Sequence, residues 1–447
     1  MHNEQRNNYE FLTQAPISRV IFTMAVPTIV SMLVTCLYNI VDTYFVGLLN
    51  TQSVAAVGIV FSLMCLIQAV GSFFGHGSGA YMSRELGARR MYNANSMAAT
   101  GLVCALLAGV VIAAGGLLLL RPLSLWLGST TTILPYTEQY MSVILLGAPL
   151  QIASFTLNSQ LRMQGEARQA MLGIVSGVLL NIALDPLLIF CCGMGLRGAA
   201  LATVIGQAAS FVILYIMCKR NTTSGVLLQW KKFSAKWHLQ KEIVFGGSPS
   251  LSRQGLASIA VVMLNVAAAN YGDSAIAAMS IVSRVTMFVM AMVVGLGQGF
   301  QPFCGYCYGA HLYDRLRHGF WFTVKTGFAF LVVFALVVFC FAEQTISLFS
   351  NDVIVVAVGS TALRWQLAVY PLNAYIMAGN MMLQTTRKPL RANILSSARK
   401  GIIFIPFIII MPHLFGLMGV MMCQAVCDVV TFAIAIPIIR SAFKEMQ

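Results

Sequence analysis

The stretch LYNIVDTYFVGLL, residues 37–49, ends an apolar run that begins near residue 17. About 20 mostly apolar residues suffice to cross the hydrocarbon core of a bilayer as one helix, so this run is long enough to span a membrane. Asp42 lies within it, and a carboxylate in a spanning helix is costly, rare and usually functional. The stretch therefore predicts a membrane helix that carries an ionisable group.

The composition of the whole chain is that of a polytopic membrane protein. Of its 447 residues, 58% are hydrophobic and only 9% are charged, whereas about 25% of the residues in a typical soluble domain are charged. The opening segment MHNEQRNNYEFLTQAP is polar, so we expect no removable signal peptide. Cys304 and Cys307 form a C-x-x-C pair without a nearby histidine at ligand spacing, and we expect them to pack as small apolar residues.

Twelve runs in the sequence are long and apolar enough to be spanning helices. They cover residues 17–49, 52–84, 93–120, 132–161, 169–191, 196–218, 244–270, 274–308, 316–342, 353–385, 391–413 and 416–440. Counted with the connections, the Lys and Arg residues divide 22 to 3 between the two sides, with Arg162, Arg399 and Lys400 on the basic side and Arg253, Arg284 and Lys325 left out as lying within spans. The positive-inside rule then predicts a multi-pass protein of the cell (inner) membrane with both termini in the cytoplasm. The net charge of +14 is thus a topology signal, and we expect no nucleic-acid partner.

The two halves of the chain repeat each other. At a constant offset of 222 residues, Pro27 falls on Pro249 and Gly77 falls on Gly299. Because each half contains an even number of helices, both copies enter from the same side and form parallel repeats. The prediction is an all-α fold of twelve transmembrane helices in two pseudo-symmetric six-helix lobes, with a cleft between helices 1, 2, 7 and 8. Its parts are a first lobe at 1–218, a basic cytoplasmic linker at 219–243 and a second lobe at 244–447.

Polar residues in the first half indicate a cation site. Tyr38 and Asp42 are four residues apart, as are Asn181 and Asp185, so each pair shares one helix face. With the hydroxyl of Thr203, these groups offer hard oxygen ligands that suit sodium or a proton shared between two acids. The alternative is that the same groups tie neighbouring helices together by hydrogen bonds.

The second half carries a different set of polar residues. Asp428 has no acidic neighbour in sequence, and we expect an ion pair with Arg253 or Arg399, because a buried charge must be paired. A role in binding the substrate or the coupling ion is the alternative. Methionine and aromatic side chains adapt to varied ligands, although most of them simply pack. The candidate residues of the substrate cavity are Tyr38, Met287 and Arg284.

Five stretches resemble the multidrug and toxic compound extrusion (MATE) family, in its DinF-like and MepA-like branch. They are VDTYFVG (41–47), GSGAYMSRELGARR (77–90), LRMQGEAR (161–168), LNIALDPLLIF (180–190) and GLRGAALATVIGQ (195–207). The resemblance implies efflux of bulky, often cationic organic compounds, driven by inward flow of protons or sodium ions and without any other cofactor or metal. It also implies a first-lobe cation site formed by Asp42, Asn158, Asn181, Asp185 and Thr203.

Other functional classes fit the sequence less well. A flippase for a lipid-linked saccharide needs several cations along its cavity, and Arg253, Arg284 and Arg399 keep that alternative open. The chain has no HExxH motif, no GxSxG motif in a fitting context and no clustered histidines, so we expect a transporter and not an enzyme. A duplicated two-lobe chain also argues against a channel. We expect a monomer whose partners are small organic substrates and the lipid bilayer.

Overall fold

The computed structural model describes residues 8–220, 226, 228–350 and 352–446. Arg6 at the predicted cytoplasmic N-terminus lies outside the described residues, as do positions 221–225 and 227 of the predicted linker. The described part of the chain is helical and contains no strand, which confirms the all-α class.

Twelve helices of the described chain are long and apolar enough to cross a membrane, as the sequence predicted. They are α1 (Ile17–Gly47), α2 (Thr51–Gly87), α3 (Met91–Leu118), α4 (Leu134–Met163), α5 (Ala167–Cys191), α6 (Leu196–Arg220), α7 (Trp237–Ala269), α8 (Asp273–Gly309), α9 (Tyr313–Cys340), α10 (Val353–Thr385), α11 (Pro389–Phe415) and α12 (Leu417–Lys444). Short helices at Asn8–Gln14, Leu120–Trp126 and Ala342–Ser347 lie between or before them. Helix α5 ends in a π-helical turn at Leu187–Cys191, and α11 contains another at Ala398–Ile402.

The internal repeat is visible in the crossing of α2 and α8. Gly87 of α2 lies against the backbone of Tyr306, and Gly309 of α8 lies against the backbone of Arg84. The offset of 222 residues relates Gly87 to Gly309 and Arg84 to Tyr306, so the two contacts are copies of each other. A Cβ atom at either glycine would overlap the facing carbonyl oxygen. This two-fold relation confirms the pseudo-symmetry of the two lobes.

The two lobes close on each other at the end of the bundle that carries the basic connections. Gly77 of α2 lies against the backbone of Ile243 in α7, and Gly299 of α8 lies against Ala25 in α1. Farther along α7, toward the opposite end, Gly255 faces open space. Helices α1, α2, α7 and α8 therefore form the seal at this end, which we call the closed end.

The connection between α6 and α7 differs from the predicted linker at 219–243. Helix α7 already begins at Trp237, so the last part of the predicted linker is helical. Earlier in this connection, the residues Trp230–Lys232 form a short 3-10 turn. The Thr100 hydroxyl donates to the carbonyl oxygen of Ser234 at 3.3 Å, which holds this connection against α3.

Candidate functional site

A buried polar cluster lies where α1, α5 and α6 meet in the first lobe. The hydroxyl oxygens of Tyr38 and Thr203 are 3.3 Å apart, and the amide nitrogen of Asn181 lies 3.5 Å from the same Thr203 oxygen. Asp42 is 6% exposed and Asp185 is fully buried, and the two carboxylates are close enough to interact electrostatically. The structure thus brings together four of the five residues of the predicted cation site, with Tyr38 beside them.

Close packing of α5 on α6 places these side chains. Gly177 of α5 lies against the backbone of Gly206 in α6, where a Cβ atom on Gly177 would collide with the carbonyl oxygen of Gly206. Asn181 and Asp185 follow Gly177 at intervals of four residues and therefore share its helix face. That face is directed at α6, which carries Thr203.

The cluster has more hydrogen-bond acceptors than donors. In the described part of the chain, no hydrogen-bond partner reaches Oδ1 of Asp42, Oδ1 of Asn181 or either carboxylate oxygen of Asp185. The ion pairs found among the described residues involve neither acid. A buried carboxylate without a donor or counter-charge is strongly disfavoured unless it is protonated or holds a cation. The arrangement can therefore accept a proton or a small hard cation.

Sequence reasoning missed Tyr140 of α4 as a neighbour of this cluster. Its side chain is fully buried, lies close to Thr203 and interacts electrostatically with Asp42 and Asp185. No charge or spacing distinguishes this tyrosine in the sequence, so only the packing of α4 beside α5 and α6 reveals it.

The structure separates Asn158 from the predicted cation site. Its amide donates to the carbonyl oxygen of Ala170 at 2.8 Å, and Ala170 precedes Asn181 by about 16 Å along the axis of α5. The repeat-related Asn380 donates to the carbonyl oxygen of Ala392, also at 2.8 Å. This bond is therefore a structural feature of both lobes. Asn158 lines the central cavity instead.

The central cavity lies between the two lobes and encloses about 290 Å³. Its walls come from α1, α2, α4 and α5 in the first lobe and from α7, α8, α10 and α11 in the second. No Asp or Glu belongs to the lining found among the described residues. The ionisable side chains of the lining are His76, Arg162, Arg253, Arg399 and Lys400.

The cavity corrects the interpretation of three basic residues. Arg162, Arg399 and Lys400 were counted with the charges of the basic side, but they lie within helices and line the cavity. The charge asymmetry of the remaining connections persists without them.

None of the three predicted cavity residues belongs to the lining of this cavity. Tyr38 belongs to the polar cluster, Met287 is 58% exposed and Arg284 is also exposed. Met290, a turn farther along α8, lines the cavity instead. Each residue of a helix is rotated by about 100° from the residue before it. The side chains of Met287 and Met290 therefore point in different directions, and only that of Met290 faces the cavity.

Asp428 lies behind the cavity wall in a fully hydrogen-bonded setting. It accepts from Arg399 at 2.8 and 3.3 Å, from Asn373 at 2.8 Å and from Gln424 at 2.8 Å. Of the two basic partners considered from the sequence, the structure places Arg399 against Asp428, whereas Arg253 donates to a neutral amide. These contacts favour a structural role for Asp428, as the partner of Arg399 in a buried ion pair.

Asp428→Asn should lower the stability of the fold by about 3 kcal/mol, because it leaves the buried Arg399 without its counter-charge. Thermal unfolding of the purified protein in detergent measures the effect. Adding Arg399→Gln to Asp428→Asn should recover most of the loss, since no unpaired charge then remains. A single Asp428→Asn variant as stable as the unmodified chain would contradict this account.

Comparison with known proteins agrees with the two-lobe architecture. The sequence model of the MatE family matches residues 27–187 and again 249–410. The multidrug export protein MepA of Staphylococcus haemolyticus (strain JCSC1435) is 28% identical to the chain, over 99% of this chain and 96% of that protein. MepA of Staphylococcus aureus (strain N315) is 29% identical, over 94% and 92% of the two chains.

A solved structure of the same architecture is an outward-facing multidrug resistance MATE family transporter of the MOP superfamily. It superposes with a TM-score of 0.93 at 26% identity and covers 99% of both chains. Because the MatE model matches well over half of the residues, the chain belongs to the MatE family of membrane transporters, as its sequence predicted.

Proposed function

We propose that the chain is a secondary active multidrug exporter that exchanges small organic compounds for a cation. Family membership and full-length similarity to multidrug export proteins support the export function. The observation that carries the cation coupling is the set of buried oxygen atoms on Asp42, Asn181 and Asp185 that no donor of the described residues reaches. A single chain supplies both lobes and the whole cavity, so we propose a monomer as the working unit.

Helix α1 connects the proposed cation site to the cavity. Asp42 belongs to the polar cluster, while Met32 and Thr35 on the same helix line the cavity. Pro27 lies inside α1 and removes one backbone hydrogen bond, which makes bending there easier. Binding of a proton or sodium ion relieves the repulsion between Asp42 and Asp185, and can thereby favour a different packing of α1 and a different cavity wall.

Transport in proteoliposomes tests this proposal. The purified protein should move ethidium or dansyl-glycine against its own gradient when a proton gradient or a sodium gradient is imposed separately. The gradient that drives movement identifies the coupling ion. Accumulation that is the same with and without both gradients would contradict coupled exchange.

A flippase for a lipid-linked saccharide is the second candidate. The observation in its favour is the cationic lining formed by Arg162, Arg253, Arg399 and Lys400, which suits a pyrophosphate group. A cavity of about 290 Å³ lies at the lower end of the range for small-molecule sites, roughly 300–1,000 Å³, and favours a small solute over a saccharide headgroup. Movement of a labelled lipid, but of no soluble compound, by the reconstituted protein would favour the flippase.

The orientation in the membrane gives a separate prediction. With the basic connections in the cytoplasm, the closed end faces inward and the cavity is accessible from outside. After the eleven native cysteines are replaced, an impermeant maleimide added outside cells should label Thr51→Cys and leave Lys231→Cys unlabelled. The opposite labelling pattern would reverse the proposed topology.

A further inference from the structure

The charge of the central cavity defines a class of substrate. We propose that this cavity binds an amphipathic organic anion, with the acidic group between Arg162 and Arg253 and the apolar body against neighbouring methionine and phenylalanine side chains. The proposal rests on the proposed export function and names its substrate class. It differs from the cationic compounds that the family resemblance implied.

Arg162 is a buried cation that forms no ion pair with any described residue. Its side chain is 3% exposed, yet its hydrogen-bond partners among the described residues are neutral, with Nη1 donating to Gln298 at 2.7 Å and Nη2 lying 3.2 Å from Nε2 of His76. Nε has no hydrogen-bond partner among the described residues. Nδ1 of His76 lies 2.9 Å from the carbonyl oxygen of Ser72, so Nδ1 is the protonated nitrogen and Nε2 accepts from Arg162. An unpaired guanidinium in this position is a ready donor for an anion.

Arg253 approaches the same space from the second lobe. Its Nη1 donates to the neutral amide oxygen of Asn380 at 3.1 Å, and no ion pair found among the described residues includes it. Arg162 and Arg253 are close enough to repel each other electrostatically. Two like charges that face one cavity remain costly until a negative group lies between them.

The π-helical turn of α11 adds further positive charge. It places the consecutive residues Arg399 and Lys400 on the same cavity, and such turns often occur at functional sites. Asp428 neutralises Arg399, whereas Lys400 donates to the neutral amide oxygen of Gln424 at 2.7 Å. Within the part of the chain that the structure describes, three cations therefore remain without a direct acidic partner, around a cavity whose lining contains no acidic residue.

The rest of the lining fits an apolar body next to the acidic group. Phe155 and Ile174 come from the first lobe, and Met290, Met377 and Leu395 come from the second. Thioether and aromatic groups adapt to flat or flexible hydrocarbon. Inorganic phosphate would leave this apolar surface without a contact, so the site favours a carboxylate, sulfonate or phosphate ester attached to hydrocarbon. A soluble amphiphile and an anionic lipid share this chemistry, and a binding experiment can distinguish them.

Binding of two matched dyes tests the charge preference. Dansyl-glycine is anionic and dansyl-cadaverine is cationic, and both carry the same fluorophore. In nanodiscs of phosphatidylcholine, the protein should bind dansyl-glycine at least about tenfold more tightly than dansyl-cadaverine, since a charge-assisted hydrogen bond contributes at least that much. Equal binding, or tighter binding of the cation, would overturn the proposal.

Substitutions then locate the acidic group. Arg253→Gln should weaken dansyl-glycine binding about tenfold and leave dansyl-cadaverine binding unchanged, while Arg253→Lys should retain part of the affinity. Arg364→Gln is the matched control, because Arg364 pairs with Glu343 on the exposed surface, and it should leave both affinities unchanged. Because Arg253 is only half-buried, its variant is less prone to misfold than Arg162→Gln. Unchanged dansyl-glycine binding by Arg253→Gln would overturn the assignment.

Lipid composition distinguishes the two sources of the anion. If phosphatidylglycerol nanodiscs weaken dansyl-glycine binding in the unmodified protein but not in Arg253→Gln, a lipid occupies the site. Affinity that is the same in both lipids indicates a soluble amphiphile. Inorganic phosphate at millimolar concentration should not displace the dye, and full displacement would exclude an apolar contribution.

The test also separates this inference from the proposed function. Loss of ion-driven transport in Asp42→Asn tests the proposed function, whereas the dye preference of the otherwise unmodified protein tests the anion site. Suppose that the protein shows no preference for the anionic dye, and that Arg253→Gln leaves ion-driven transport of ethidium unchanged. These two results would overturn the anion site but would still support coupled export.

Discussion

Asp42→Asn should abolish ion-driven export while the protein still folds and inserts in the membrane. The neutral amide mimics the protonated carboxyl, so binding of the coupling ion no longer changes the charge beside Asp185. A neutral amide is also less costly to bury than a carboxylate, and Asp42 is only 6% exposed. We expect at least a tenfold loss of driven transport, about 1.4 kcal/mol or more of lost coupling, measured as export by proteoliposomes at matched protein levels.

Three further variants define the cluster around Asp42. Asp185→Asn should have nearly the same effect, since both of its carboxylate oxygens lack a partner among the described residues. Thr203→Ala should only weaken transport, because its hydroxyl already bonds to Ala199 at 3.1 Å. Asp273→Asn removes an exposed carboxylate at the start of α8 and is the matched control. Transport by Asp42→Asn that proceeds at the unmodified rate and still follows the ion gradient would place the coupling site elsewhere.

Glu242→Gln should open the closed end of the bundle. The carboxylate of Glu242 is buried on α7 and pairs with Arg84 of α2 at 2.6 Å and with Arg387, before α11, at 2.7 Å. Arg84 also donates to the carbonyl oxygen of Thr385 at 2.8 Å. Loss of the negative charge leaves Arg84 buried without compensation, which costs about 3–5 kcal/mol. That energy is enough to shift a two-state equilibrium by more than about a hundredfold.

Cysteine labelling from the side of the basic connections measures this opening. A cysteine at the cavity position Ser72, in a chain without native cysteines, should react faster when Glu242→Gln is present. Glu343→Gln is the control, because its pair with Arg364 is exposed and contributes little. Unchanged labelling together with unchanged thermal stability would show that the ion pairs do not hold this end closed.

The helices, their pairing and part of the site follow from sequence patterns. Helix count depends on the length of apolar runs, and the offset of 222 residues already related Gly77 to Gly299, which pack in the structure against Ile243 and Ala25 of the opposite lobe. Asn181 and Asp185 share a face because of their spacing, and a carboxylate among apolar residues is conspicuous in any sequence. These features depend on residues close together in the sequence or on a repeated sequence pattern, and both can be recognised without knowledge of the tertiary structure.

The cavity and its charge depend on how the helices cross. Arg162 and Lys400 resemble connection charges when they are counted along the chain, but inter-lobe packing and a π-helical turn place both against one cavity. The same packing puts Asn158 at that cavity and away from Asp42. The sequence by itself therefore determined the membrane fold, its repeat and the first-lobe acids, because these follow from local composition and periodicity. The tertiary structure decided which distant charges meet and which remain unpaired, because their distances depend on helix crossing, a property of the packed bundle.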